Sequence, residues 1–395
     1  MSSGVCIING NGIALAADSA GTYYGNKMFY NSTNKVFSLS DKYTCGAIIY
    51  NNLRMYNLSI EQMLMEFRRF LDSEACLNDF FDILPVFRKF IEKKYVYYKF
   101  DKAEKAKCVE LIQSIVNIWG GKIKAVINLD DAETQIDTVL KELNDYINAG
   151  IIIPEYDVSE HIKSKYLDVF QAQIESVVPE LKSYPQKIEK LWCAICTYDK
   201  LALASEEKNY TGLLFAGYGQ NDAFPKYIHI ELSKIVGGQA KIKILEKYEE
   251  DRGAKILPLA QDDVISTFCK GISQLFIDSI PKSIDSAINT RINGLPCSYT
   301  EDQKNEIRNI LLECKRDVVQ EINQTVRTKN VNPIIDSVAL IPLPEMAFLA
   351  ENLVNITILK RTYSLDGNQQ TVGGPTDVAV MSKGEGFRWI RRKKV

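Results

Sequence analysis

The residues at the beginning of the chain could together perform acyl-transfer chemistry. Ser2 directly follows Met1, and the aminopeptidase that removes initiator methionines requires a small second residue. Without Met1, Ser2 would be an amino-terminal nucleophile, and its own α-amine, with an unperturbed pKa of about 7.7 to 8.0, could accept the hydroxyl proton. This arrangement needs no imidazole, which suits a chain that contains 2 histidines. Ser3 is a fallback nucleophile that would require a second cleavage.

An amino-terminal serine also needs a nearby positive charge, which favours the ionised hydroxyl and keeps the α-amine unprotonated. Lys35 can supply this charge, and Asp18 can hold the lysine in place. Both residues lie in segments with strand character, so strands that lead away from the amino terminus and back could bring them beside Ser2. The sequence therefore predicts a site made of Ser2, Lys35 and Asp18.

The elements that would position these residues are strands followed by a helix. The segment GVCIING is followed by Asn11 and Gly12, a dipeptide typical of hairpin turns, and then by IALAADS. Further strand patterns are KVFSLS and TCGAIIY. Ser59 and Gln62 then predict a capping box at the start of a helix, whose apolar stripe is Ile60, Met63, Leu64, Phe67 and Leu71. We expect the chain to begin in a sheet that a helix covers.

The remaining chain alternates between helical and strand-rich stretches. Residues 73–200 are strongly helical in pattern, whereas YTGLLFAGYG, KYIHIELSKIVGG and AKIKIL read as strands. A second helical stretch covers about 262–328, and a helix near Pro344 precedes the strand patterns TDVAVMS and FRWI. This order predicts one α/β core that is interrupted twice.

The composition excludes several classes of partner and site. Lys plus Arg is 48 and Asp plus Glu is 50, so no global charge would attract nucleic acid or an anionic membrane. The 9 cysteines are scattered, which indicates reduced thiols, and no signal peptide is evident, so we expect a cytoplasmic protein. With 2 histidines and no phosphate-binding motif, the sequence predicts neither a metal nor a cofactor.

Two basic segments have alternative interpretations. FFDILPVFRKFIEKKYVYYKF interleaves aromatic residues with lysines and could stack on single-stranded nucleic acid, but an amphipathic helix with a solvated basic face is the favoured interpretation. The terminal RWIRRKKV is interpreted as a solvated tail. His229 alternates with two isoleucines and is predicted to lie in a strand.

Several segments together resemble the β-type subunits of the proteasome and their bacterial relatives among the amino-terminal-nucleophile (Ntn) hydrolases. Asp18 falls on the family's buried aspartate in IALAADSAGTYYG, and Lys35 in NKVFSLS lies one residue beyond the family's lysine. LLFAGYGQNDAFPKYIHIEL resembles the central strand pair. PEMAFLAENLVNITILKRTYS and TVGGPTDVAVMSKGEGFRWI resemble the last helix, the Gly-Gly turn and the terminal strands. The resemblance covers about half of the chain.

The resemblance implies an α+β fold, a four-layer αββα Ntn-hydrolase sandwich with two large helical insertions. The implied division is a first core part over 1–72, a helical insertion over 73–200, core strands over 201–261, a second helical insertion over 262–330, and the last helix and terminal strands over 331–395. Relatives form rings, so the resemblance also implies a homo-oligomer.

The resemblance also implies the supporting residues of the site. Asn51 stands near the position of the family's oxyanion glycine, where its backbone N–H could still serve. Asp366 and Thr371 are the nearest substitutes for the supporting Asp and Ser near the Gly-Gly turn. Ser2 replaces the family's usual threonine, whose β-branch restricts its rotamer.

The resulting hypothesis is an amino-terminal-serine amide hydrolase, a proteasome-like peptidase that acts on a peptide or protein through Ser2 after removal of Met1. Two alternatives stay open. One is a catalytically inactive proteasome-like assembly or partner-binding protein, which the missing oxyanion glycine favours. The other is a small-molecule amidase of the same superfamily. Whether the protein is an enzyme therefore stays open from the sequence.

Overall fold

The computed structural model describes residues 2–23, 28–202, 209–249, 253–296, 298–364 and 372–393. Its strands form two larger antiparallel sheets, and its helices cover these sheets or form two further helical regions. The structure is therefore α+β, as expected from the sequence. Among the helices of these ranges, none combines the length and apolar character needed to cross a membrane.

The first sheet contains both ends of the described chain. Its spatial order is β12 (Ala254–Ala260), β1 (Ser3–Asn9), β2 (Gly12–Ala17), β13 (Asp377–Ser382) and β14 (Gly386–Arg391). Gly4 lies opposite Ala17, and Asp377 lies opposite the same Ala17 on the other side of β2. The first two strands thus lie in the middle of this sheet, where their backbones pair on both sides.

The predicted hairpin between β1 and β2 is confirmed, with its turn one residue earlier than expected. Gly10 and Asn11 form the turn, and Gly12 is the first residue of β2. A Cβ atom at Gly12 would lie 2.3 Å from the carbonyl oxygen of Met381 on β13, so only glycine fits there. Close packing of β13 against the hairpin therefore depends on this glycine.

The second sheet follows a different order along the chain. It contains β11 (Gln239–Glu249), β10 (Lys226–Val236), β9 (Thr211–Gly217), β6 (Cys45–Asn51) and β5 (Val36–Ser38). Two short hairpins accompany the sheets, β3 (Gly21–Tyr23) with β4 (Met28–Tyr30) and β7 (Arg54–Met55) with β8 (Leu58–Ser59).

The two larger sheets pack face to face. A Cβ atom added to Gly4 of β1 would lie 3.4 Å from Ile48 Cγ2 of β6, which is ordinary van der Waals contact. Because side chains alternate along a strand, Cys6 and Ile8 share the face of Gly4. The apolar layer between the sheets contains Cys6, Ile8, Ile13, Leu15, Ala17, Val36, Ile48, Tyr50, Leu214, Ala216, Tyr227, Leu259, Ala379 and Met381.

Helices cover the outer face of each sheet. The first sheet packs against α9 (Asp263–Lys270), α12 (Asn332–Leu340) and α13 (Leu343–Tyr363). The second packs against α1 (Ile60–Glu74) and α2 (Ile83–Lys94). The predicted apolar stripe of α1 is buried as expected, but the predicted capping box is wrong, because the side chain of Ser59 makes no cap hydrogen bond.

A first helical region contains α3 (Phe100–Ile115), α4 (Gly121–Val126), α5 (Ala132–Ala149), α6 (Ser159–Lys165), α7 (Leu167–Val177) and α8 (Pro185–Tyr198). A π-helical turn (Val116–Gly120) links α3 to α4, and 3₁₀ turns lie at Phe80–Asp82 and Pro179–Ser183. The region has an apolar core of its own, with Phe170 stacked on Trp192 at a ring distance of 4.6 Å.

A second helical region is built mainly from α10 (Gln274–Asn293) and α11 (Glu301–Val326), followed by a π-helical turn (Arg327–Val331). Lys315 of α11 binds Asp285 of α10 at 2.6 Å. On α10 only Ile288 and Ile292 are buried, and α11 has no buried residue. This region is therefore held by few buried contacts compared with the first.

Candidate active site

Ser2 lies at the start of the first sheet and is almost buried, with 4% of its surface exposed. Its carbonyl oxygen accepts a hydrogen bond from Gln261 N at 3.3 Å, which extends the pairing of β1 with β12 by one residue beyond Ser3 and Ala260. Strand alternation therefore gives Ser2 the same face as Gly4, the face that packs against the second sheet. Met1 lies outside the described residues.

Asp18 directly follows β2 and is fully enclosed. Its Oδ1 accepts from Ser3 N at 2.9 Å, and its Oδ2 accepts from Ala20 N at 3.2 Å and from Gly373 N at 3.0 Å. Lys35 Nζ donates to Oδ1 at 2.6 Å. A buried carboxylate is stable only with such partners. Asp18 thus holds the backbone next to Ser2 and the lysine at the same time.

Lys35 lies just before β5, and its side chain is 1% exposed. Burial lowers the pKa of Lys35, and the Asp18 carboxylate opposes this effect; the charge of Lys393 lowers the pKa further. The carbonyl oxygen of Lys35 accepts from Ile49 N of β6 at 2.9 Å. The lysine therefore lies between the two sheets, bound to the first through Asp18 and to the second through its backbone.

Asn51 ends β6 in the left-handed conformation, with φ of 63°. Asparagine adopts this conformation more readily than most residues other than glycine. The Asn51 side chain donates to the carbonyl oxygen of Tyr210 at 2.8 Å, and Asn52 N donates to the same oxygen at 3.2 Å. These contacts fix the end of β6 against the chain that leads into β9.

Two further predicted residues, Asp366 and Thr371, lie outside the described residues, so their predicted supporting role stays a prediction. Beyond them, Gly373 reaches the site through its main chain: its N–H donates to Asp18, and its carbonyl oxygen accepts from Ser19 N at 3.1 Å. Main-chain donors leave no residue-type signature, which is why sequence reasoning missed this contact.

The carboxyl-terminal segment only partly fits its interpretation as a solvated tail: Arg388 and residues 390–392 are exposed, but Lys393 is not. Lys393 has a side chain that is 3% exposed and forms an ion pair with Asp377, which is 4% exposed. Trp389 packs against the apolar layer between the sheets. The interpretation was wrong for Lys393 because the segment's charge pattern does not show that β14 pairs with β13, which encloses one of its lysines.

The predicted strand position of His229 is confirmed, and the residue is buried. Its Nε2 lies 2.6 Å from the hydroxyl of Tyr50, the residue before Asn51. Burial lowers the pKa of His229 to about 4, so the ring is neutral at pH 7. The Tyr50 ring lies over Gly212, where a Cβ atom would be 2.1 Å away. His229 and Gly212 thus fix the strand end that carries Asn51.

A cleft of about 110 Å³ is lined by the sequence neighbours of Lys35 but not by Lys35 itself. It lies between β5, α1 and the end of β14, and its lining residues are Asn34, Val36, Phe37, Ser38, Glu61, Met65, Arg68, Trp389 and Arg392. Within the described ranges, no group of three or more His, Cys, Asp or Glu side chains is arranged to hold a metal ion.

Comparisons with known proteins give weak structural likeness. No family model matches the chain, and no curated protein sequence is similar to it. Among solved structures, the chain is similar to Anbu (ancestral beta-subunit) from Yersinia bercovieri, with a TM-score of 0.33 and 11% identity over 99% of this chain and 87% of that one. It is also similar to a mutant of Anbu from Hyphomicrobium sp. strain MC1, with a TM-score of 0.30 and 8% identity over 100% and 87%. TM-scores this low do not establish a common fold.

Proposed function

We propose that the protein is an amino-terminal-serine amide hydrolase that cleaves peptide bonds through Ser2 after removal of Met1. The supporting observation is the enclosed Lys35–Asp18 pair, whose carboxylate also accepts from Ser3 N, directly beside Ser2. Enclosing an ion pair costs desolvation energy. The position of this pair beside a nearly buried serine at the start of β1 therefore favours a chemical role.

In the proposed reaction, the Ser2 Oγ attacks the carbonyl carbon of the scissile amide while the Ser2 α-amine accepts the hydroxyl proton. The tetrahedral intermediate collapses with cleavage of the C–N bond, and the ammonium gives its proton to the leaving amine. Water then attacks the acyl ester with the α-amine as base, which regenerates the free serine. The amine contributes roughly 10²- to 10⁴-fold as general base and acid.

Lys35 would favour the ionised form of the Ser2 hydroxyl and keep the α-amine unprotonated, while Asp18 holds the lysine at 2.6 Å. Protonated Lys35 would be required in this role. A bell-shaped dependence of kcat/KM on pH follows, with an acidic limb from the α-amine and an alkaline limb from Lys35.

Asn51 N would donate to the oxyanion. The N–H groups of a strand alternate in direction, so Asn51 N is directed to the same side of β6 as Ile49 N, which donates to the carbonyl oxygen of Lys35. An oxyanion donor contributes about 10²- to 10³-fold. The proposed main-chain hydrogen bond does not involve the Asn51 side chain, which donates to the carbonyl oxygen of Tyr210.

The proposal includes the αββα Ntn-hydrolase sandwich, with the two helical regions as insertions and the division expected from the sequence, except that α2 and α9 cover the sheets and belong with the core. The apolar layer between the sheets and the helices on both outer faces support it. A cytoplasmic homo-oligomer acting on peptide or protein substrates is part of the same proposal.

The test combines intact mass with a probe that requires both groups of an amino-terminal serine. A peptidyl α,β-epoxyketone offers a ketone to the hydroxyl and an adjacent epoxide to the amine. We expect the purified protein to lack Met1, to hydrolyse a panel of fluorogenic peptides, and to bind the probe covalently at Ser2. Ser2→Ala should abolish labelling and lower kcat/KM by at least about 10³-fold.

Ser3→Ala is the matched control. The Ser3 hydroxyl has no hydrogen-bond partner among the described residues, whereas its main-chain N–H to Asp18 survives the substitution. This variant should keep labelling and hydrolysis. Retention of Met1, or hydrolysis that survives Ser2→Ala, would contradict the proposed function. Hydrolysis of small amides but of no peptide would instead support the amidase alternative.

A further inference from the structure

A second enclosed ion pair lies beside Lys35 and Asp18. Asp377 is the first residue of β13, and Lys393 follows the end of β14. Lys393 donates to the Asp377 carboxylate twice, through its Nζ and, at 2.8 Å, through its main-chain N. Both side chains are almost buried. Enclosing a lysine and an aspartate in this way costs desolvation energy.

The two pairs meet across neighbouring strand ends. Asp377 lies opposite Ala17, the residue before Asp18. Gly373, a few residues before Asp377, donates its N–H to Asp18. The positive charge of Lys393 lowers the pKa of Lys35, in addition to the effect of burial. The second pair therefore lies at the strand ends beside Asp18, and its lysine acts electrostatically on Lys35.

We propose that Lys393 and Asp377 form a positioning pair for the nucleophile, in which Asp377 fixes a second positive charge near Lys35 and anchors the strand start that follows Gly373. This inference rests on the proposed function, in which a protonated Lys35 favours the ionised Ser2 hydroxyl. Lys393 thus adjusts the upper end of the pH range in which Lys35 keeps its proton, after the larger effects of burial and Asp18.

The charged groups around Lys35 come from several elements. Asp18 faces it from the end of β2, and Lys393 acts on it from the end of β14. On the α1 side, Glu61 accepts from the side-chain amide of Asn34 at 2.7 Å, and Arg68 binds Asp41. Of these groups, Asp18 and Lys393 are the ones whose charges change the pKa of Lys35.

The proposal predicts opposite effects for the two partners of one ion pair. Lys393→Met removes a positive charge, so Lys35 should keep its proton to higher pH. Asp377→Asn leaves Lys393 without its counter-charge, so Lys35 should lose its proton at lower pH. The alkaline limb of kcat/KM should therefore move up by about half a pH unit or more in the first variant and down by a similar amount in the second.

The experiment measures kcat/KM for a peptide substrate from pH 5 to 11 in the wild type, Lys393→Met, Lys393→Arg and Asp377→Asn. Lys393→Arg keeps the positive charge, so the alkaline limb of its kcat/KM should lie at the same pH as in the wild type. Lys234→Met is the matched control, since Lys234 is also a buried lysine paired with a buried aspartate, Asp199, in another part of the fold. It should lower stability and leave the limb unmoved.

A merely structural role of the pair predicts that both variants lose stability while the limb stays or moves in one direction, and that result would overturn the proposal. If circular dichroism shows that Asp377→Asn does not fold, the alkaline limbs of Lys393→Met and Lys393→Arg still test the proposal, because only Lys393→Met removes the positive charge. An unmoved limb in Lys393→Met would then be the contradicting outcome.

A direct titration separates this inference from the proposed function. Protein labelled with ¹³C at lysine Cε, with the Lys35 signal assigned through Lys35→Arg, reports the Lys35 pKa without any hydrolysis. If the wild type is inactive, opposite shifts of the Lys35 pKa in the two variants would reject the function and keep only the electrostatic coupling of Lys393 and Asp377 to Lys35. Hydrolysis by the wild type with an unshifted Lys35 signal would reject the positioning pair alone.

Discussion

The start of the chain and the first helical region each enclose a carboxylate with several donors, yet the donors differ in kind. Asp18 is held by main-chain N–H groups and by Lys35, whose side chain is 1% exposed. Glu104 of α3 is held mainly by side chains, and Lys165 and His161 among them are 41% and 32% exposed. Its donors are Tyr95, His161, Lys165, Tyr166 and Gly237 N.

This difference bears on the proposed function, because Lys35 is enclosed with its carboxylate whereas Lys165 is not. Glu104 joins α3 and α6 to the turn between β10 and β11, and water can still solvate its charged partners. Asp18 encloses a lysine that has no such access to water, which leaves the lysine's proton dependent on its immediate neighbours. Only the second arrangement can tune a nucleophile.

The largest effect that tests this comparison is the loss of activity expected for Asp18→Asn. An amide cannot balance the Lys35 charge, so we expect kcat/KM to fall by at least about 10²-fold, together with lower stability. Kinetics on protein shown to be folded by circular dichroism measure this. Asp199→Asn removes another enclosed aspartate, paired with Lys234, and should lower stability alone. An equal loss of activity in Asp18→Asn and Asp199→Asn would show that the two enclosed aspartates do not differ in their effect on activity.

Glu104→Gln should lower stability but not activity. After allowance for screening, we expect the free energy of unfolding to fall by about 2 kcal/mol at pH 7 and kcat/KM to stay within about twofold of the wild type. Burial alone would raise the pKa of Glu104, but hydrogen bonds from Lys165, Tyr95, Gly237 N and His161 lower it to about 2. The stabilisation that corresponds to this lowered pKa is fully present above about pH 4.5, and it is lost as the pH falls toward 2. Urea unfolding at several pH values should show the two proteins converging in acid.

The smallest effect is expected for Tyr166→Phe, which removes one donor to Glu104. The Tyr166 hydroxyl donates to Glu104 Oε1 at 2.7 Å. Because the other donors remain, we expect a loss of about 1 kcal/mol in the free energy of unfolding and unchanged kinetics. A loss as large as that of Glu104→Gln would show that the donors act as one unit rather than separately.

Local patterns predicted the elements near the start of the chain well. The hairpin of β1 and β2 and the buried stripe of α1 follow from turn residues and periodicity, which act over a few residues. The capping box failed although Ser59, which also ends β8, has the extended backbone usual for an N-cap residue. The role of α2 was not evident either: it lies in a stretch that reads as one helical region, yet it packs on the second sheet beside α1.

The sequence by itself predicted Ser2, Asp18 and Lys35 as one candidate site. The structure pairs Asp18 with Lys35 and with Ser3 N, because a hairpin and one returning strand bring these close positions together. Only the tertiary structure decided that Gly373, 355 residues from Asp18, donates to it. It likewise decided that Lys393 is enclosed rather than solvated. Both contacts depend on β13 pairing with β2, and strand order within a sheet is set by the packing of the whole chain rather than by residues near the site.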